Sequence, residues 1–302
     1  MSVLNTAAPR AAVLTVLSSA VVSVAVAQSP AWTAVDQAIG RAGTQQPGGV
    51  QKYSFPRSDL HVTAAGVSIK PALALVGWVA FKPAGTKGVM AMGDLVLLES
   101  EVTPVLSKLQ SLGVEQTALH NHLQHETPAL MYMHIQAHGD AVKIAHAVRE
   151  ALAVTKTPPV PPPPPAAGAL GLDTARLAAT LGYSGKATGG VYQVSVPRAD
   201  PVTMNGEEVP PAMGVATALN FQPTGGGKAA ITGDFVLTAD EVNPVLRALR
   251  EGRVDITALH SHMLGEEPRL YFMHFWANED ALALARTLHA ALGHMKVKPA
   301  GV

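Results

Sequence analysis

The chain has no cysteine. That absence excludes disulfides, thiolate metal sites, iron–sulfur clusters and thiol nucleophiles. Excess charge of either sign is also missing: 22 basic side chains balance 22 acidic ones. The electrostatic footprint of a nucleic-acid binder is therefore not there. Aromatics make up only 5%, and the tryptophans are Trp32, Trp78 and Trp276, which leaves few platforms for stacking a sugar. After the N-terminal segment, no apolar run approaches the roughly 20 residues that a bilayer span requires. What the chain does have is length, with 302 residues, and an apolar content of 48%. At roughly 150 residues per domain, these predict two domains, each with its own core.

Arg10 is the one charged side chain before Asp36. An almost wholly apolar stretch follows from Ala11 to Ala27, broken by Ser18, Ser19 and Ser23 and ending Ala25-Val26-Ala27. A basic start, a short apolar centre and a small-x-small terminus are the marks of a cleavable signal peptide. The expectation is a signal peptide over residues 1–27, cleavage after Ala27, and a mature protein in the periplasm or outside the cell, with no membrane span left.

The mature chain reads as one unit written twice. Met92-Gly93-Asp94-Leu95-Val96-Leu97 returns as Thr232-Gly233-Asp234-Phe235-Val236-Leu237. Glu101-Val102-Thr103-Pro104-Val105-Leu106 returns as Glu241-Val242-Asn243-Pro244-Val245-Leu246, and Thr117-Ala118-Leu119-His120-Asn121-His122 as Thr257-Ala258-Leu259-His260-Ser261-His262. Pro56-Arg57-Ser58-Asp59 matches Pro197-Arg198-Ala199-Asp200 with one residue of slippage. These strings set the expected organisation: a first repeat at 28–154, a proline-rich linker at 155–168 and a second repeat at 169–302. Consecutive prolines favour polyproline II, so the linker is expected to be a semi-rigid spacer of roughly 20–25 Å.

Each repeat has an opening helix (about Trp32–Arg41 and Asp173–Leu181), several strand-like runs punctuated by glycine and proline, and a helix capped by Ser100 or Asp240. Two short strands carrying histidines follow, then a closing helix after Asp140 or from Ala281. Strands and helices segregated in this way predict an α+β fold: two homologous repeats, each a mostly antiparallel sheet with helices packed on one face.

The histidines carry the chemistry. His120, His122 and His134 recur 140 residues on as His260, His262 and His274. Residues i and i+2 of a strand project from one face about 6.5–7 Å apart at the backbone, close enough for their imidazoles to converge. If the two strands pair with residue numbers summing to 252, His120 faces Tyr132 and His134 lies diagonal to it on the same face. A slip of one residue sends His134 to the other face. Three imidazoles with an open fourth position suit a divalent transition metal, zinc or copper first. The expected metal ligands are His120, His122 and His134 in one repeat and His260, His262 and His274 in the other. Their sites stand apart or meet across a pseudo-twofold interface. Glu126 and Glu266, in the turns between the histidines, are candidate catalytic bases, fourth ligands or partners that orient a ligating ring.

Other repeated polar residues have plainer readings. Asp94 and Asp234 follow glycine at an expected strand start, where turn hydrogen bonding explains them. Glu101 and Glu241 complement a helix dipole. Arg57 and Arg198 read as structural ion pairs. His61, His125, His138 and His146 have no counterpart in the other repeat and read as surface residues.

With its Met92–Leu97, Glu101–Val105, Thr117–His122 and Met133-His134-Ile135 strings, the chain resembles the LppY/LpqO family of exported bacterial proteins, several of them lipoproteins, built on a domain of unknown function. The resemblance implies export and a duplicated architecture, and it implies no activity. This chain departs from it in having no cysteine to lipidate.

Three functions follow as expectations. The first is an exported metal-binding protein with one histidine site per repeat. The second is a metal-dependent hydrolase or redox enzyme using the same residues. The third is a metal-free envelope module that binds a carbohydrate, peptide or protein partner, its histidines responding to pH. In each, the partner is a small molecule or an envelope component rather than nucleic acid.

Overall fold

The computed structural model describes Met1 and residues 32–160 and 170–300. The expected signal peptide, and the linker from Pro161 to Gly168, lie outside the described residues. The first repeat opens with α1 (Trp32–Ile39), β1 (Thr44–Gln46) and β2 (Val50–Pro56). A small arm follows: β3 (Val62–Ala64), β4 (Val67–Ile69) and α2 (Pro71–Ala74). The chain then runs through β5 (Val76–Pro83), β6 (Val89–Leu98), α3 (Glu99–Ser111) and β7 (Glu115–His120). It closes with β8 (Glu126–Thr127), β9 (Leu130–Gly139) and α4 (Ala141–Leu152).

The second repeat has the same order: α5 (Thr174–Leu181), β10 (Lys186–Thr188), β11 (Val191–Pro197), then the arm strands β12 (Thr203–Met204) and β13 (Glu207–Glu208). After them come β14 (Ala216–Gly225), β15 (Lys228–Leu237), α6 (Ala239–Glu251), β16 (Asp255–His260), β17 (Glu266–Glu267), β18 (Tyr271–Asp280) and α7 (Ala281–Leu292).

Each repeat is an α+β layer. Its six-stranded sheet is antiparallel throughout, in the order β1-β2-β5-β6-β9-β7 and, correspondingly, β10-β11-β14-β15-β18-β16. The helices cover one face. In the first repeat Val35 and Ile39 of α1, Val105 and Leu109 of α3, and Ile144 and Val148 of α4 bury their apolar stripes against Val79, Leu95 and Met133. Helix α3 begins at Glu99 with Leu98 at its N-cap, and α6 at Ala239 with Thr238, so the caps fall two residues before the expected Ser100 and Asp240. The position is set by Glu101 and Glu241, whose carboxylates reach back to the N–H of Leu98 (2.9 Å) and Thr238 (2.8 Å).

The same carboxylates have a further role. Glu101 takes the buried Arg57 guanidinium at 2.7 Å and Glu241 takes Arg198 at 2.6 Å. Each arginine also donates to a strand carbonyl, Val96 or Val236. The glutamates are therefore the buried partners of the arginines and do more than complement a helix dipole. The expected neighbours contribute unequally: Asp59 lies 2.9 Å from Arg57, whereas Asp200 is 4.0 Å from Arg198.

The second face of each sheet turns toward the other repeat, and the arms cross over. Val202, Met204 and Val209 of the second arm pack with Val50, Ala80 and Met90 of the first sheet. Reciprocally, Val62, Ile69, Leu73 and Leu75 of the first arm form a cluster that reaches Val191 and Ala230 of the second sheet. Side chains tie the arms down: Gln222 bonds the Lys70 N–H and the Ser68 carbonyl, and Gln193 bonds the Ala72 carbonyl. Strand β6 is consequently buried on both faces over Val89–Leu97. The two repeats form a single body around a pseudo-twofold axis.

Candidate metal centre

Strands β7 and β9 pair so that His120 faces Tyr132 and Ala118 faces His134. In the second repeat His260 faces Phe272 and Ala258 faces His274. His120 and His134 therefore share the face turned to the other repeat. His122 and His262 lie just past the ends of their strands, in the bends before β8 and β17, and not within a strand as the i, i+2 spacing predicts. A different device positions them. At a bulge between Gln116 and Ala118, Thr117 turns its hydroxyl across the axis to donate to the His262 carbonyl at 2.6 Å. Thr257 does the same to the His122 carbonyl at 2.6 Å.

The two histidine trios meet. Ring centroids of His120 and His260 lie 3.6 Å apart, those of His134 and His262 3.7 Å, and those of His122 and His274 4.0 Å. Tyr132 and Phe272 stack on the outer side of His122 and His262, at 3.4 and 3.5 Å. Two overlapping sets of nitrogens lie within 4.8 Å of one another: His120, His260, His262 and His274; and His120, His122 and His134. A metal ion could be held by either.

The tautomers favour this use. Nδ1 of His120 lies 3.2 Å from the Asn121 carbonyl and Nδ1 of His274 2.8 Å from that of Gly233. A carbonyl only accepts, so both Nδ1 atoms carry the proton and both Nε2 atoms keep a lone pair. Among the described residues, Nε2 of all six histidines is buried without a hydrogen-bond partner. Burial holds His120 down at about 4 and His274 at about 3, with the His120 imidazole adding to the effect in His274. Burial first and adjacent imidazoles second also hold His122, His134 and His262 well below the ordinary histidine value. The cluster is a set of neutral imidazoles, the protonation state that ligates metal.

The aspartates belong to this site. Asp94 is in the middle of β6, not at a strand start, and pairs across the sheet with His134. Its carboxylate oxygens lie 3.7 Å from Nε2 of His122 and 3.8 Å from Nε2 of His134, and Asp234 is 3.9 Å from His262. Burial raises Asp94 to about 7, against the pull of Lys52. Burial and then Asp94 raise Asp234 well above the carboxylate range. A usable signal was in the sequence: Asp94 is the one charged residue of a ten-residue buried strand and has the same parity as His134. Gly93 precedes it because a Cβ there would lie 2.7 Å from the Trp78 carbonyl oxygen.

Glu126 and Glu266 are buried, but neither belongs to the two nitrogen sets. Each holds its own turn, accepting the N–H of Leu130 at 3.1 Å or of Leu270 at 3.0 Å. His61, His125, His138 and His146 are exposed.

A cleft of about 770 Å³ opens beside the centre, between the two sheets. His122, His134, His262 and His274 line it together with Asp94 and Asp234. Lys52 and Trp78 stand on the first repeat's wall, and burial lowers the Lys52 ammonium to about 8 while Asp94 pulls it up.

The family model described as Domain of Unknown Function (DUF1259) matches residues 33–154 and again 175–294. The chain belongs to this family. Both copies of the DUF1259 domain carry the histidine trio, the aspartate and the bulged threonine described above. No curated protein matches the chain. Among solved structures, it is similar to the trimeric bacterial microcompartment shell protein PduB at 12% identity, with a TM-score of 0.24, over 86% of this chain and 98% of that one. It is similar to EtuB from Clostridium kluyveri at 13% identity, with a TM-score of 0.20, over 86% and 96%. At these scores neither likeness bears on the fold or the function.

Proposed function

We propose that this protein is an exported metal-binding protein holding one divalent transition metal, zinc or copper, where its two DUF1259 repeats meet. One observation carries the reading: two overlapping sets of imidazole nitrogens gather where the repeats meet, and Nε2 of all six histidines is buried with no hydrogen-bond partner among the described residues. Leaving such an atom buried and unsatisfied costs about 1–3 kcal/mol. Lone pairs directed at a cation avoid that cost. His120 offers a single free nitrogen, because Nδ1 is engaged by Asn121, yet it belongs to both sets. One ion per chain follows, where the sequence suggests one per repeat. The composition of residues 1–27 supports export.

A metal-dependent hydrolytic or redox enzyme is the second reading, favoured by the cleft that reaches the centre. A bound metal there would supply Lewis acidity. Asp94 and Asp234, whose carboxylates come within 3.7–3.9 Å of ring nitrogens, would hold or accept a proton beside it.

Elemental analysis of the mature protein, purified without a histidine tag, tests the binding. About one equivalent of zinc or copper is expected, with a melting temperature that rises when the metal is restored. No stoichiometric metal, with a melting temperature indifferent to either ion, would overturn the reading. Two equivalents would overturn the shared His120.

A further inference from the structure

The walls of the cleft differ although its floor is duplicated. The histidines, aspartates and bulged threonines of the centre are the same in both repeats, yet Lys52 in β2 stands where β11 has Gln193 and Trp78 in β5 where β14 has Ala218. Thr232 replaces Met92, and Asn220 replaces Ala80. One wall is therefore a cation against an indole, and the other is made of amides and a hydroxyl. The Lys52 ammonium lies 3.9 Å over the Trp78 ring and donates to the Ala212 carbonyl at 3.0 Å, which leaves two of its three donors unused. Lys52 is half-buried on the cleft wall, and the carboxyl that acts on it, Asp94, is shared with two imidazoles. A half-spent ammonium beside a cleft of about 770 Å³ is a receptor for a negative group, and that volume suits a small molecule. Donors and acceptors on the opposite wall suit hydroxyls, and the indole suits a C–H face.

We propose that the cleft binds a hydroxylated organic carboxylate of the sugar-acid class, its carboxylate on Lys52, its carbon face on Trp78 and its hydroxyls on Gln193, Asn220 and Thr232. The inference deepens the metal reading by naming what lies beside the centre, but the Lys52–Trp78 receptor does not itself include an imidazole.

Glucuronate is the probe, titrated into the full mature protein by calorimetry and followed by tryptophan fluorescence, with and without zinc. Saturable binding is expected, weakened at least tenfold by Lys52→Gln and equally weakened when the unsubstituted protein is offered the methyl ester of glucuronate. The ester arm needs no variant, so a folding defect in Lys52→Gln leaves the test intact. Glucuronate failing to bind in either metal state, or its ester binding as tightly, would overturn the proposal. Zinc and copper uptake measured on the same protein reports separately on the metal centre: binding of glucuronate without uptake of either ion supports this inference while removing that reading.

Discussion

Acid should destabilise the metal-free protein through its histidine cluster. His120 is held at about 4, His274 at about 3 and His260 at about 2, all by burial first. An unfolded chain binds protons at these sites near pH 6.5, whereas the fold keeps them neutral. Stability is therefore intact above pH 6.5 and falls as the pH drops toward the folded values. At pH 5 each of the three costs about 2 kcal/mol, at about 1.4 kcal/mol per pH unit, or about 6 kcal/mol together. His122, His134 and His262 act in the same direction.

Asp94 and Glu126 act in the opposite sense. Burial raises both to about 7, so they destabilise the fold at neutral pH, and lowering the pH from 7 to 5 returns about 2 kcal/mol for each, with Asp234 again in the same direction. The five groups with these values leave a net loss of about 2 kcal/mol, and beyond them three histidines stand against one aspartate. For a cooperative unit of this size, about 2 kcal/mol corresponds to a melting temperature roughly 4–8 °C lower at pH 5 than at pH 7. Calorimetric melting of the metal-free protein across this range is the assay, with His120→Gln/His260→Gln as the variant whose slope should flatten. A melting temperature that holds or rises on acidification, or imidazole proton resonances titrating near 6.5, would refute the account of a buried, neutral cluster.

Further expectations concern the same centre and its frame. His120→Ala removes a ligand from both nitrogen sets and should weaken metal binding more than any other single histidine substitution, whereas His134→Ala leaves His120, His260, His262 and His274 in place and should retain about one equivalent by elemental analysis. Arg57→Ala leaves Glu101 buried without its cation and should cost about 3–5 kcal/mol in urea unfolding, with Arg198→Ala close to it. Gly93→Ala forces a Cβ to 2.7 Å from the Trp78 carbonyl oxygen and 2.9 Å from Val79 Cγ2. Because β5 and β6 must part to admit it, a loss of a few kcal/mol is expected together with weaker metal binding, read by thermal melting and zinc titration.

Much of the fold was legible because it is local or repeated. Helical spacing located α4 and α7, with the starts after Asp140 and at Ala281 read to the residue, and period-two alternation placed His120 and His134 on one face. Duplication singled out six histidines from twelve without any relative to compare. It also flagged Arg57 and Arg198, although their partners Glu101 and Glu241 stand more than forty residues away and were read as helix-dipole charges.

What the chain spelled out by itself is the unit, its repetition and the face that His120 and His134 share, as His260 and His274 do, since strand period and helix period act between near neighbours. What lies against that face is another matter. The meeting of the trios, the entry of Asp94 and Asp234, the hydroxyl ties from Thr117 and Thr257, and the asymmetric walls at Lys52 and Trp78 all depend on how one sheet docks on the other. Docking is decided by burying apolar surface that has no direction along the chain, so periodicity can mark a surface for covering but only the packed molecule determines what covers it.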